Sequence, residues 1–274
     1  DNTVAFYCLP ISDAGSNTTL YIEQNGTQYK RTFDNKKLTA NKSITVASQN
    51  DTEAWDEYDG TKIVYTTTDG KILNISFPNY QEFGQGVKVI SHIQTGDNEF
   101  TIECDGPITI IPSIFMGKST LKSIVLPESL LMIEDYAFYN CNNLSGPLTI
   151  PESVTTIGDY AFYECKKLTG SLTIPGNITT IEGLVFVGCS FTEDLVIHER
   201  VTKIGNGAFC WCAFKNVYCK AIVPPDLQNT HPWYSTFSNS PEKTLYVPVG
   251  SKDAYLNAEG WKDFKFKEIV EMQF

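Results

Sequence analysis

The residues of this 274-residue chain best suited to metal or covalent chemistry are eight cysteines and three histidines. Cys210, Cys212, Cys219 and His231 could offer a soft, thiolate-rich set of ligands to zinc. Their register argues for a different role. Cys141, Cys165, Cys189 and Cys212 are separated by 24, 24 and 23 residues, and Cys219 falls in line with the apolar positions Leu126, Ile150, Ile174 and Ile197. Thiols at such positions read as small buried hydrophobes. They are expected to be free, because parallel neighbours about 4.8 Å apart do not converge as a disulfide requires. The other candidate motifs fail on single residues. Met116-Gly117-Lys118-Ser119 ends like a phosphate-binding loop, yet Pro112 stands where its first glycine belongs, and Gly84-Gln85-Gly86 has Val89 where a dinucleotide fingerprint needs its third. His198-Glu199 has Thr202 in place of a second zinc histidine. A calcium loop built on DEYDG would start on Trp55 and end on Thr66. No GxSxG motif accompanies His92, His198 and His231. The acids that might serve glycoside hydrolysis, Glu128 with Glu152 and Asp135 with Asp159, recur at the cysteine interval, so they belong to a repeat. No catalytic residue, metal or cofactor is assigned, and the chain is not expected to be an enzyme.

The elements that position these residues follow from the interval itself. Phe115, Phe138, Phe162, Phe186 and Phe209 are spaced 23, 24, 24 and 23, and Ile133, Ile157, Ile181 and Ile204 keep the same rhythm. A fixed period in the low twenties is the mark of a solenoid. Four units can be written out: LKSIVLPESLLMIEDYAFYNCNN from Leu121, LSGPLTIPESVTTIGDYAFYECKK from Leu144, LTGSLTIPGNITTIEGLVFVGCS from Leu168 and FTEDLVIHERVTKIGNGAFCWCA from Phe191. A fifth opens at Phe214 and loses the pattern. Each unit starts with alternating apolar residues, such as Leu172 and Ile174 around Thr173, which reads as a short strand with one face buried. Pro127, Pro151 and Pro175 are expected to end three of these strands.

The units resemble the bacterial leucine-rich repeat of the BspA-like family, with the signature LxxIxIPxxVxxIGxxAFxxCxxL. His198 departs from it at the strand-ending proline, and Glu182-Gly183 replaces a Gly-Asp pair. DGPITIIPSIF from Asp105 looks like a worn first repeat, and TLYVPVGSKDAYLNAEGWKDF from Thr244 is similar to the family's closing unit. The expected fold is mainly β: a leucine-rich-repeat solenoid with a short parallel sheet, over residues 105–274, preceded by an antiparallel β module. Ser251 and Gly260 are expected to cap a short helix. Trp261, Phe264 and Phe266 should close the core at that end, with Phe100, Ile102 and Cys104 at the other.

Residues 1–50 have another rhythm: TTLYIEQ, Asn25-Gly26 and TQYKRTF spell a two-residue hairpin, flanked by TVAFYCLP and SITVAS. This segment is similar to the closing strands of fimbrillin-like β-sandwich domains, a partial module whose partner strands would precede Asp1. Residues 51–104 read as an acidic linker, DTEAWDEYDG, and a second hairpin, KIVYTTT-Asp69-Gly70-KILNISF, capping the solenoid. The formal charge of −11, with no basic patch, removes the counterion-release drive for nucleic acid. No run of 18 apolar residues provides a transmembrane segment.

The family resemblance implies an exported protein of the bacterial cell surface or outer membrane, such as a lipoprotein, acting in adhesion. It would present a concave sheet to a protein or glycan partner, a role for which a monomer suffices. A structural spacer or tip domain of a surface appendage is the alternative, with a carbohydrate-active enzyme behind it. Because side chains alternate across a strand, the expected binding row is Glu103, Val125, Thr149, Thr173, Val196, Tyr218 and Tyr246, roughly 29 Å over six intervals of about 4.8 Å.

Overall fold

The computed structural model describes residues 60–75, 83–228, 235–238, 240–264 and 266–274 in full, and the backbone of residues 5–8, 18–24, 27–33 and 56–58. The chain divides into two compact units, Asp1–Asp59 and Gly60–Phe274. In the first, β1 (Ala5–Cys8), β2 (Thr18–Gln24), β3 (Thr27–Phe33) and β4 (Asp56–Tyr58) form an antiparallel sheet in that order. Gln24 faces Thr27, so β2 and β3 make the hairpin expected from Asn25-Gly26. Asp56–Tyr58, read in the sequence as part of a solvated linker, pairs with Gln28–Lys30 instead. Tyr58 faces Gln28 in that pairing, which places the strand at the free edge of β3. The SITVAS run lies outside the described residues.

The second unit opens with an antiparallel sheet in the order β6 (Val89–Gly96), β7 (Glu99–Cys104), β5 (Lys62–Thr67), β9 (Leu121–Val125). The expected hairpin across Asp69-Gly70 does not form, since residues 71–75 are not a strand. β5 spends its two edges on β7 and β9 instead. That arrangement buries Ile63 and Tyr65 against the first coil, where the Tyr65 ring stacks on Phe100 at 5.4 Å and meets Phe115 edge-on at 6.3 Å.

From Ile110 onward the chain coils, and the coils contribute short parallel strands. One side carries β8 (Ile110–Ile111), β10 (Met132–Ile133) and β12 (Thr156–Ile157), then β15 (Thr180–Ile181), β17 (Lys203–Ile204) and β19 (Asp226–Leu227). These place Ile111, Ile133 and Ile157, and again Ile181, Ile204 and Leu227, in register inside. Another side carries a five-stranded parallel sheet: β14 (Leu172–Thr173), β16 (Asp194–Ile197), β18 (Asn216–Cys219), β20 (Thr244–Pro248) and β21 (Glu268–Met272). Between the sheets the phenylalanines stack. Phe115, Phe138, Phe162, Phe186, Phe209 and Phe237 form one column, with centroids 5.1 to 5.8 Å apart and planes within 15° of parallel.

Three local expectations change. Leu148–Thr149–Ile150 is not a strand. Gly146 turns with φ +88 and Pro147 has no N–H to donate, so the two-residue strands β11 (Ser145–Gly146) and β13 (Lys167–Leu168) pair there instead. Helix α1 (Lys252–Asn257) does begin after Ser251, but the Ser251 hydroxyl donates to the Pro248 carbonyl at 2.6 Å. The helix start is held instead by Glu271 of β21, whose Oε1 accepts from the Gly250 and Lys252 amides at 2.9 Å each. The helix ends at Asn257 with Ala258 as its C-cap, which leaves Gly260 in the turn beyond it. Trp261 is buried, with Phe264 and Phe266 packed against the end of the column, and its indole donates to the Pro225 carbonyl at 2.7 Å.

Phe162 sits at the centre of the column with no exposure. Phe162→Ala is expected to cost about 3 to 5 kcal/mol in guanidinium unfolding, from lost burial and the cavity left behind. Hydrogen-exchange protection should fall together in the coils on either side.

Candidate functional site

The outward face of the five-stranded sheet is built by alternation. Leu195, Ile197, Val217, Cys219, Leu245 and Val247 turn inward and are fully buried. The residues between them face out in two in-register rows. Thr173, Val196, Tyr218, Tyr246 and Val270 form one, and Asp194, Asn216, Thr244 and Glu268 the other. Tyr218 and Tyr246 lie in neighbouring strands with their rings 4.6 Å apart and 9° from parallel. Beside them the Asn216 amide donates to Asp194 Oδ1 at 2.8 Å. Partial burial raises the Tyr218 phenol above its ordinary range, and the Asp194 charge and the neighbouring Tyr246 add to the effect. The Tyr218 hydroxyl is therefore a neutral hydrogen-bonding group at neutral pH, and both tyrosines carry a polar end on an apolar ring.

The structure brings together four of the seven residues expected in the binding row. Glu103 belongs to the antiparallel sheet, where it lies 3.6 Å from Lys62 Nζ and accepts from the Ser91 hydroxyl. Val125 ends β9 opposite Val64, so the strand β5 separates it from β7 and Glu103. Thr149 is exposed outside any strand, displaced by the Gly146-Pro147 turn. The continuous row runs from Thr173 to Val270, about 19 Å at 4.8 Å per rung. Val270 was not foreseen, because β21 follows a helix and carries none of the repeat's period; its only signal is the alternation in EIVEM.

The BspA type leucine rich repeat region matches residues 108–229 in six copies. That stretch is a BspA-type solenoid. No curated protein matches the chain.

In the BspA-type coils the recurrent cysteines are core residues with a specific hydrogen bond. The thiols of Cys141, Cys165, Cys189 and Cys212 donate to the carbonyls of Phe115, Phe138, Phe162 and Phe186 at 3.0 to 3.2 Å. Each of the Phe138, Phe162 and Phe186 carbonyls already accepts the amide three residues on, so the next coil's thiol takes its second lone pair. The residues weighed as zinc ligands go separate ways. Cys212 joins this ladder, Cys210 contacts the Ser238 hydroxyl at 3.1 Å, and Cys219 lies 3.2 Å from the Tyr255 hydroxyl, which donates to Ala221. His231 lies outside the described residues. All seven described cysteines are free and buried, and no three His, Cys, Asp or Glu among the described residues are placed to hold a metal. His198, at the strand-ending position, packs its ring over Gly176, where a Cβ would come within 3.2 Å of Nε2.

Burial pushes these thiols up, Cys141 to about 12 and Cys165, Cys189 and Cys212 in the same direction. A group whose pKa is raised on folding stabilises the native state fully below its unfolded pKa, and that contribution is lost as pH climbs toward the folded value. Stability should therefore be flat up to about pH 8 and fall between roughly 9 and 12, with each buried thiol contributing up to about 1.4 kcal/mol per pH unit. Guanidinium midpoints measured at intervals from pH 7 to 11 would show the decline. Cys141→Ala should make it shallower, and a profile of unchanged slope would contradict the assignment.

Proposed function

We propose that this chain is a surface-displayed binding module, and not an enzyme, that presents the outward face of its five-stranded sheet to a protein or glycan partner outside a bacterial cell. The BspA-type repeat supports an interaction role at the surface. The observation that carries the site is the Tyr218–Tyr246 pair, two half-buried aromatic rings in register on a face otherwise made of Thr173, Val196 and Val270. Tyrosine is enriched at binding hot spots because one side chain provides a flat apolar area and a polar end. The Asp194–Asn216 pair adds acceptors and donors on the next row. An alternative is favoured by the stacking itself. Two rings that cover one another also suit a passive spacer, which needs no exposed anchor.

The full chain, applied to arrays of extracellular matrix proteins and of glycans, separates the two. With a ligand in hand, Tyr218→Ala and Tyr246→Ala should each weaken binding by more than about 1 kcal/mol, and Thr173→Ala by much less. An unchanged affinity in the double tyrosine variant would move the site off this sheet and leave the spacer reading ahead.

A further inference from the structure

A cleft of about 290 Å³ opens on a different side of the solenoid, against β15 and β17, lined by Asp159, Tyr160, Glu182, Gly183, Lys203 and Asn206 among others. Its origin is a break in the repeat. In the two preceding coils the corresponding position is aspartate, and the carboxylates make a ladder: Asp135 Oδ1 accepts from the Asp159 amide and Asp159 Oδ1 from the Gly183 amide, both at 2.8 Å. At the third coil the ladder stops, because the residue is Gly183. The backbone does not require glycine there, since Gly183 is not among the residues with positive φ. Packing presses on the position without forbidding a side chain: an added Cβ would lie 3.3 Å from Asp159 Oδ1, so that carboxylate would have to shift slightly, and 3.6 Å from the Asn206 carbonyl. The neighbouring Gly158 and Gly205 differ, for a Cβ at either would strike the adjacent coil's backbone at 2.5 to 2.6 Å. Glycine at 183 leaves the lining of the cleft without the carboxylate that the two preceding coils carry at this position.

The wall of that space is mixed in a particular way. Tyr160 supplies an aromatic ring, stacked on Tyr136 at 5.0 Å and 7° and touching Tyr163 at 5.6 Å, while Tyr163 stacks on Tyr139 at 5.1 Å. Four tyrosines thus make a continuous surface that starts at the cleft and runs one coil away from it. Tyr136 and Tyr160 have φ of 59° and 58°, a left-handed backbone that bulky residues avoid. The equivalent residue of a later coil, at φ 59°, is Gly207. Aromatic side chains are kept at 136 and 160 at a conformational cost that glycine would remove. The polar groups are two carboxylates, an ammonium and an amide, so the lining holds both hydrogen-bond acceptors and donors. Acids outnumber the single lysine among the six residues named, and the whole chain carries −11, which disfavours an anionic ligand. A ligand with many hydroxyls, no charge and a flat apolar face matches this wall.

We propose that the cleft opened at Gly183 is a saccharide subsite, in which a sugar ring of a neutral oligosaccharide lies against Tyr160 with its hydroxyls bonded to Asp159, Glu182, Lys203 and Asn206, and further sugars run along the tyrosine surface. The site is separate from the sheet carrying Tyr218 and Tyr246. The volume stands at the lower end for small-ligand clefts, which fits one end of a chain ligand and not a folded partner.

The test titrates the full chain by calorimetry with cellohexaose, laminarihexaose, maltohexaose and mannohexaose. At least one is expected to bind. Gly183→Asp, which restores the residue of the preceding coils, should lower affinity at least tenfold. Tyr160→Leu should do the same, and Leu184 shows that leucine is accommodated at this backbone position, with φ 59°. Thermal melts would establish that both variants remain folded, and if Gly183→Asp does not fold, Tyr160→Leu decides. Tyr218→Ala should leave affinity unchanged. Binding of none of the four oligosaccharides, binding indifferent to both cleft variants, or binding lost in Tyr218→Ala would each overturn the proposal.

Discussion

The spacing between successive coils is the constraint on which the rest of the solenoid depends. Amides of one coil donate to carbonyls of the next, as from Phe138 to Ala161, Phe162 to Val185 and Phe186 to Ala208, at 2.7 to 2.9 Å. This holds each coil at a strand's distance from its neighbour. Only side chains that tolerate an identical copy of themselves at that distance can occupy the interior. Phenylalanine does so by offset stacking, branched aliphatics by interlocking, and cysteine by sending its proton into the coil before it. The same spacing dictates the glycines at 158 and 205, where two backbones approach too closely for a Cβ.

This constraint explains how much could be read from the sequence. A residue whose neighbour is its own counterpart must recur, so the phenylalanine, isoleucine and cysteine columns were visible as intervals. What fell outside was set by contacts that do not repeat. Phe237 continues the aromatic column 28 residues after Phe209, and the longer interval hid it. Thr149 was placed on a strand by its register, but a single imino acid two residues earlier, Pro147, withholds the amide that such a strand would need. β5 pairs antiparallel with both β7 and β9, an arrangement that buries Tyr65, and the local Asp69-Gly70 turn signal could not reveal it.

The candidate sites show the same division. The Tyr218–Tyr246 pair was legible because alternation fixes which face a strand residue takes, whereas Val270 required knowledge of where the chain returns after α1. The cleft at Gly183 was visible only as a departure from the pattern. In a repeat protein such departures stand out against an internal standard, since the coils on either side show what the position normally holds and what its loss exposes.

The thiol ladder has a consequence for folding wherever an oxidant is present. Each sulfur is shielded because it is buried and its proton is held by a carbonyl of the adjacent coil, so the protection belongs to the stack and not to the cysteines themselves. Before stacking, the same thiols are exposed, have ordinary acidity and are free to couple. Folding and oxidation are then in competition for the same atoms. Each coil needs only its neighbour, one repeat of 23 or 24 residues along the chain, to close, and that limited reach gives folding the advantage of speed.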